Sequence, residues 1–204
     1  DVMFGSNFNA IKVGMSYFRA LSSVTTVMTS QKAAELGADI PFALIGGTAI
    51  GVGKGDDLEP IDDVNQLHWV LVPMDVGLST PRVYAKLDEI RAARGENPEL
   101  VATPSKPREL ISALQFGDAR EVARYLHNDL QEAAVALMPE LSITMHAGLA
   151  AGALAAMVSG SGPTVAMLAE SAAAAQSIAK HLAFEGYIAI PTHGPAKGTL
   201  LEHI

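Results

Sequence analysis

Ser159-Gly-Ser-Gly-Pro-Thr164 is the stretch whose residue types best suit chemistry, and it lies between two small-residue apolar runs. Leu149 to Val158 precedes it and Val165 to Ala169 follows, so it reads as a tight loop joining two buried elements. Gly160 and Gly162 admit positive φ and let another group come close to the backbone. Pro163 fixes φ and removes a donor where the next element starts. A loop of this kind can hold a bound group, or it can be a plain structural hairpin. Asp39, two residues before Pro41, has the local reading of an Asp that satisfies backbone N–H groups in its own turn. Tyr84 falls in a helical run with Val83, Leu87 and Ile90, where an aromatic ring serves a helix core. The histidines at 68, 127, 146, 181, 193 and 203 have no metal-ligand spacing. No Ser-His-Asp or G-x-S-x-G pattern points to hydrolysis; Ser159-Gly-Ser-Gly lacks the flanks.

The chain that must position these residues has 204 of them, enough for one large domain or two small ones. Hydrophobic residues make up 49% and charged ones 18%, which supplies a core and argues against disorder. Net charge is −8, with 14 scattered Lys and Arg. A nucleic-acid binder needs a basic stripe to displace counterions, so that class is disfavoured. Cysteine is absent, which removes disulfides and thiolate metal sites and is compatible with a reducing cytoplasm. No apolar run reaches the roughly 18–20 residues that span a bilayer.

The apolar spacing from Ala10 to Leu21 predicts a helix, and a second is expected from about Ser30 to Leu36, capped by Gly37. Pro41 is expected to bar a helix from continuing, and Ala43 to Val52 to form a strand with glycine kinks. Gly53 to Asp57 reads as a polar turn and Leu58 to Ile61 as a short return. Composition shifts near Asp62-Asp63, which divides the chain into 1–62 and 63–204. His68 to Pro73 reads as a buried strand. A helix follows, with Thr80 as N-cap and Pro81 at its first position. Arg91 to Pro107 is a polar excursion. Helices are expected over 109–115, over 118–126 with Asp118 as cap, over 129–137, and over 141–151. Beyond the Gly-Ser loop come a helix over 171–184, a strand over 187–190, and a tail that pairs or frays. Strand, helices, two strands, helix, strand suits an α+β, ferredoxin-like domain.

Several segments occur together in one order: Leu36 to Ala43, Gly46-Gly-Thr-Ala49, Gly51 to Gly55, Trp69 to Val72, Gly77 to Tyr84, Asn128 to Glu132 and Ser159 to Thr164. As a set they resemble the GHMP kinases, within them the branch of non-mevalonate isoprenoid biosynthesis, over residues 30 to 190 or so. The resemblance implies a GHMP kinase fold, with a truncated N-terminal ATP-binding domain over 1–62 and a ferredoxin-like C-terminal domain over 63–204. It implies ATP and Mg²⁺ as cofactors, and transfer of the γ-phosphoryl group to a hydroxyl of a cytidine diphosphate-linked methylerythritol. Loose phosphoryl transfer depends mostly on positioning and charge. Asp39 then becomes the catalytic residue, as base or as orienter of the hydroxyl. Tyr84 would stack on the cytosine, and Gly160, Ser161, Gly162 and Thr164 would close on the phosphate acceptor. Gly5 and Ser6 occupy the place of the phosphate loop, where converging N–H groups would cradle ATP.

The chain departs from the pattern in places. The family's Pro-x-Lys-x-Asn motif is missing, so the sequence reads as lacking the N-terminal third. Phe4 and Phe8 would crowd the cradle. No residue takes the part of the family's catalytic Lys, and Lys12, on an expected helix, is not promoted to it. Asn128 and Asp129 are read as the start of a helix and nothing more. Two other readings stay open: a GHMP kinase for another small alcohol, and an inactive fragment or paralogue that keeps only the fold. The expected partner is a small-molecule substrate in the cytoplasm, with no metal site built from protein ligands, no nucleic acid and no membrane. An uncovered sheet edge predicts self-association into a homodimer.

Overall fold

In the segment Leu67 to Val72, side chains alternate between two buried faces, the pattern of a strand covered on both sides. The computed structural model describes residues 2–4, 9–13, 40–52, 57–62, 65–96, 106–116 and 118–198. Within them the elements are β1 (Val2–Phe4), β2 (Asn9–Val13), α1 (Ile40–Ile45), β3 (Thr48–Val52), β4 (Asp57–Pro60) and β5 (Leu67–Val72). They continue with α2 (Thr80–Ala93), α3 (Arg108–Phe116), α4 (Ala119–Tyr125), α5 (Gln131–Leu137) and α6 (Glu140–Ala150). The chain then forms β6 (Ala155–Val158), β7 (Val165–Ala169), α7 (Ala172–Phe184) and β8 (Ile190–Gly194).

Strands β1 to β4 form an antiparallel sheet in sequence order. The second sheet is antiparallel in the order β6-β7-β5-β8. Hence the first and third strands of the second unit lie in the middle and the second and fourth at the edges. That is the split βαβ arrangement expected from the element order. Val70 and Val72 of β5 share one face with Val165, Met167 and Ala169 of β7. This face is covered by Val83 and Leu87 of α2, Leu141 and Met145 of α6, and Ile178 and Leu182 of α7. Leu67 and Trp69 turn the other way with Ala166 and Leu168, against Leu110 and Leu114 of α3 and Val122 of α4. Ile50 of β3 and Ile61 join that second cluster, so the two sheets contribute to one apolar layer.

Three expected elements come out differently. Residues 10–13, placed on a helix, belong instead to strand β2, with Ile11 opposite Ile50 and Lys12 opposite Ala49. Pairing with β3 outweighs the helical spacing, as tertiary context commonly does for a short segment. The remainder of that helix, and the one over 30–36, lie outside the described residues. Residues 43–45 belong to α1 rather than to a strand, because Pro41 sits in the first helical turn, where its missing N–H is harmless. The helix stops at Gly46 and Gly47, both at positive φ (65° and 70°), and β3 starts only at Thr48. The last strand runs over 190–194 instead of 187–190. It is an edge strand, which tolerates Pro191. Helix α2 also runs three residues into the expected polar excursion, to Ala93.

Asp118 caps α4 as expected, its carboxylate accepting from the N–H groups of Arg120 (2.8 Å) and Glu121 (3.3 Å). The tail pairs rather than frays over its described part. Gly46 bridges Lys197 in antiparallel fashion, and the Gly47 N–H donates to Ala196 O at 2.7 Å.

Candidate functional site

The loop between β6 and β7 is closed by its own backbone. Ser159 N–H donates to Thr164 O (2.8 Å) and Gly162 N–H donates to Ser159 O (2.9 Å). Gly160 and Gly162 have φ of 56° and 85°, the region that side chains other than glycine's rarely enter. A Cβ at Gly162 would also stand 3.2 Å from Val158 Cγ1 and 3.5 Å from Leu78 Cδ2. The loop is therefore packed against the segment leading into α2. Among the described residues, no backbone hydrogen bond takes the N–H of Gly160 or of Ser161.

Thr80 was expected to cap α2. It is instead the first helical residue, with Ser79 in the cap position and no side-chain cap bond. The Thr80 hydroxyl lies 2.7 Å from the Ser161 hydroxyl, so a hydrogen bond ties the helix start to the loop. Tyr84 stands four residues on, hence on the same helix face as Thr80 and about 6 Å further along the axis. Tyr84 is 40% exposed, whereas its neighbour Val83 is fully buried. Tyr84 therefore keeps part of its surface open to solvent.

Of the sequence-predicted site residues, Ser161 contacts Thr80, which was read only as an N-cap, and Tyr84 lies on the same helix face as Thr80. Gly160, Gly162 and Thr164 lie in the same loop. Gly5, Ser6 and Asp39 lie outside the described residues, and α1 starts at Ile40. Lys12 belongs to β2. No cluster of three His, Asp or Glu able to hold a metal occurs among the described residues. Two surface clefts, of about 400 and 600 Å³, are lined by residues such as His68, Arg120 and Glu170, or Arg108, Phe116 and Tyr125. Neither includes the Gly-Ser loop or Tyr84.

Reading the sequence missed what lies beneath the loop. Asn128 is buried (5% exposed). Its Nδ2 donates to Val158 O (2.7 Å) and Gly160 O (2.8 Å), while its Oδ1 accepts from Leu130 N–H (3.0 Å). Gln131 Oε1 accepts from Val158 N–H at 3.0 Å. The expected helix start is present in that last Asn128 bond, but α5 begins only at Gln131 and most of the side chain's hydrogen bonding goes to the loop. An uncharged amide three residues ahead of a glutamine carries little signal of such a contact 30 residues away.

Comparison with known proteins then identifies the unit around the loop. Residues 110–188 match the family model described as GHMP kinases C terminal. The chain carries a GHMP kinase C-terminal domain. A 4-diphosphocytidyl-2-C-methyl-D-erythritol kinase from Pseudarthrobacter chlorophenolicus is 48% identical over 166 residues, covering 81% of this chain and 51% of the relative. One of the same name from Nocardia farcinica is 53% identical over 157 residues, 77% of this chain and 50% of the relative. The chain thus spans about half the length of the curated relatives it matches. A crystal structure of a 4-(cytidine 5'-diphospho)-2C-methyl-D-erythritol kinase superposes with a TM-score of 0.66 at 28% identity, over 83% of this chain and 58% of that one. The L. major mevalonate kinase in complex with R-mevalonate shares the fold, with a TM-score of 0.59 at 17% identity, over 86% of this chain and 55% of that one. The GHMP kinase fold expected from the sequence is therefore present, and GHMP kinases are small-molecule phosphotransferases that use ATP.

Proposed function

We propose that this chain works in an ATP-dependent kinase that phosphorylates the 2-hydroxyl of 4-diphosphocytidyl-2-C-methyl-D-erythritol, a step of non-mevalonate isoprenoid biosynthesis in the cytoplasm. The observation that carries the reading is the Thr80–Ser161 hydrogen bond. It sets a loop with two consecutive N–H groups that no backbone group among the described residues accepts beside the helix face that bears an exposed tyrosine. Unengaged N–H groups in a glycine-rich turn suit phosphate oxygens, and an open aromatic face suits a nucleobase. A nucleoside diphosphate ester offers both chemistries in one molecule, and relatives at about half identity carry the matching name.

In this reading Tyr84 stacks on the cytosine, while Gly160, Ser161, Gly162 and Thr164 line the phosphate end. Gly5 and Ser6 belong to the ATP loop. Asp39 takes or orients the proton of the attacking hydroxyl. Mg²⁺ would come bound to the nucleotide, since the described residues offer no acidic cluster of their own. Its charge would offset that of the phosphates. The division into 1–62 and 63–204, and association into a homodimer, belong to the same proposal. Among the described residues no single helix is long and apolar enough to cross a membrane.

The test is calorimetry of the whole chain with Mg²⁺-ATP and with 4-diphosphocytidyl-2-C-methyl-D-erythritol, followed by a phosphoryl-transfer assay. Stacking contributes about 1–3 kcal/mol per base, so Tyr84→Ala should weaken substrate binding by about 5- to 150-fold and leave ATP binding alone. Unchanged substrate affinity in that variant would point to a different alcohol. No substrate binding by the unaltered chain would refute the reading for these 204 residues.

A further inference from the structure

Asn128 has its donors and its acceptor engaged in a buried site: two loop carbonyls take hydrogen bonds from Nδ2, and Leu130 N–H occupies Oδ1. This pattern allows one amide orientation, because a flipped amide would face Val158 O and Gly160 O with a third oxygen. The loop carbonyls are thus held in fixed directions. In a planar trans peptide the C=O of one residue and the N–H of the next point opposite ways. Pinning Val158 O toward Asn128 sends the Ser159 N–H the other way, where it meets Thr164 O at 2.8 Å. Pinning Gly160 O toward Asn128 sends the Ser161 N–H away from the protein interior, and among the described residues no backbone group accepts it. Gln131 holds the same strand end through Val158 N–H. Thr80 holds the Ser161 side chain from the helix side.

We propose that Asn128 is a positioning residue: by fixing the Gly160–Ser161 peptide plane it aims the Ser161 N–H at a phosphate oxygen of the bound substrate. The inference rests on the kinase reading above and assigns the buried amide a part in it. Glycine at 160 and 162 lets the loop turn this way, but it does not choose among the orientations open to glycine. The choice comes from a side chain 30 residues upstream. Asn128 touches neither substrate nor reacting atoms; it acts through the loop.

The experiment uses the ¹⁵N-labelled whole chain titrated with inorganic phosphate and, separately, with 4-diphosphocytidyl-2-C-methyl-D-erythritol. In the unaltered protein the Ser161 amide should shift saturably, while the Ser159 and Gly162 amides, whose N–H groups are already bonded inside the loop, should move far less. Asn128→Asp keeps the size and the acceptor for Leu130 but removes both donors. It should weaken phosphate binding at Ser161 at least tenfold and lower kcat by about 10- to 100-fold, with KM for the substrate changed less than threefold. Gln131→Ala, which leaves both loop carbonyls on Asn128, should lose less than threefold in each. A Ser161 amide in the unaltered protein that ignores phosphate, or moves no more than Ser159, overturns the proposal even if no Asn128 variant folds. A folded Asn128→Asp protein with unchanged phosphate affinity and kcat overturns it too. A responsive Ser161 without turnover of the cytidine substrate would instead sink the substrate assignment and leave the positioning role standing.

Discussion

Gly46→Ala should break the contact between the C-terminal strap and the turn after α1. Gly46 has φ of 65°, and a Cβ there would collide with the backbone N of Gly198 and lie 2.6 Å from both Gly198 Cα and Lys197 C. Those are main-chain atoms that cannot swing aside, so the strap must leave or α1 must shift. Two costs add: the left-handed conformation of a non-glycine residue, about 1–2 kcal/mol, and loss of the strap's hydrogen bond to Gly47, about 1 kcal/mol. The sum is about 2–3 kcal/mol. Gly47→Ala is the internal control, since φ there is 70° but nothing lies within 4 Å of the new Cβ. It should lose only the conformational part. For a chain of this size about 2–4 °C of melting temperature accompanies each kcal/mol, so thermal melts should set Gly46→Ala below Gly47→Ala by about 2–4 °C. Hydrogen exchange gives a second readout. The Gly47 amide, bonded to Ala196 O at 2.7 Å, should lose protection in Gly46→Ala. Gly198→Ala should also release the strap, because its Cβ would meet Leu44 O and stand 2.6 Å from Ile45 O, but without the left-handed φ of Gly46 it should cost only about 1 kcal/mol. The double variant should then cost less than the sum of the two. Equal melting temperatures for Gly46→Ala and Gly47→Ala, with Gly47 still protected, would refute the reasoning.

Two further predictions concern the sheets. His68 lies opposite His193 in the β5–β8 ladder, and burial first, then the charge of His193, holds its imidazole below the usual histidine value. The folded state therefore resists protonation that the unfolded chain accepts. The stabilisation is complete above the ordinary histidine value of about 6.5 and is lost as pH falls from there through the lowered folded value. The difference in urea midpoint between the unaltered chain and His68→Gln should change over that window, and His193→Gln should remove the smaller part of it. A difference that does not vary with pH would contradict the assignment. Thr48 is buried, and its Oγ1 has no hydrogen-bond partner among the described residues. Thr48→Val replaces that hydroxyl with a methyl group in a strand and should raise stability by about 1 kcal/mol; a loss of similar size in a urea melt would show that the hydroxyl is engaged.

The two central strands of the second sheet were legible because their signals are local and repeated. Leu67 to Val72 and Val165 to Ala169 alternate between two apolar faces, and Asp118 and Ser171 mark helix starts with side chains that cap them. The first sheet was harder to read. Helical spacing over 10–21 misled because a five-residue strand next to a partner needs no pattern of its own, only a register such as Ile11 opposite Ile50. Pro41 misled in the opposite direction. Proline ends a helix when it falls in the interior and starts one when it falls in the first turn, and nothing in Asp39-Ile-Pro-Phe42 says which.

The Gly-Ser loop shows the same division within the candidate site. Its glycines announce a turn that side chains would obstruct, and that much is local. The direction of each peptide plane is not local: Asn128 sets two of them, and Thr80 holds the hydroxyl of Ser161. Both partners have a plausible job closer to home, one as a helix start and the other as an N-cap. Thr80 lacks that local bond and Asn128 adds the loop carbonyls to its own. Residues with strong local preferences are thus the ones whose long-range role a sequence hides, because the local reading accounts for them first. Asn128 passes that filter only through burial. An amide 5% exposed must satisfy its donors somewhere, and the loop carbonyls are where it does so.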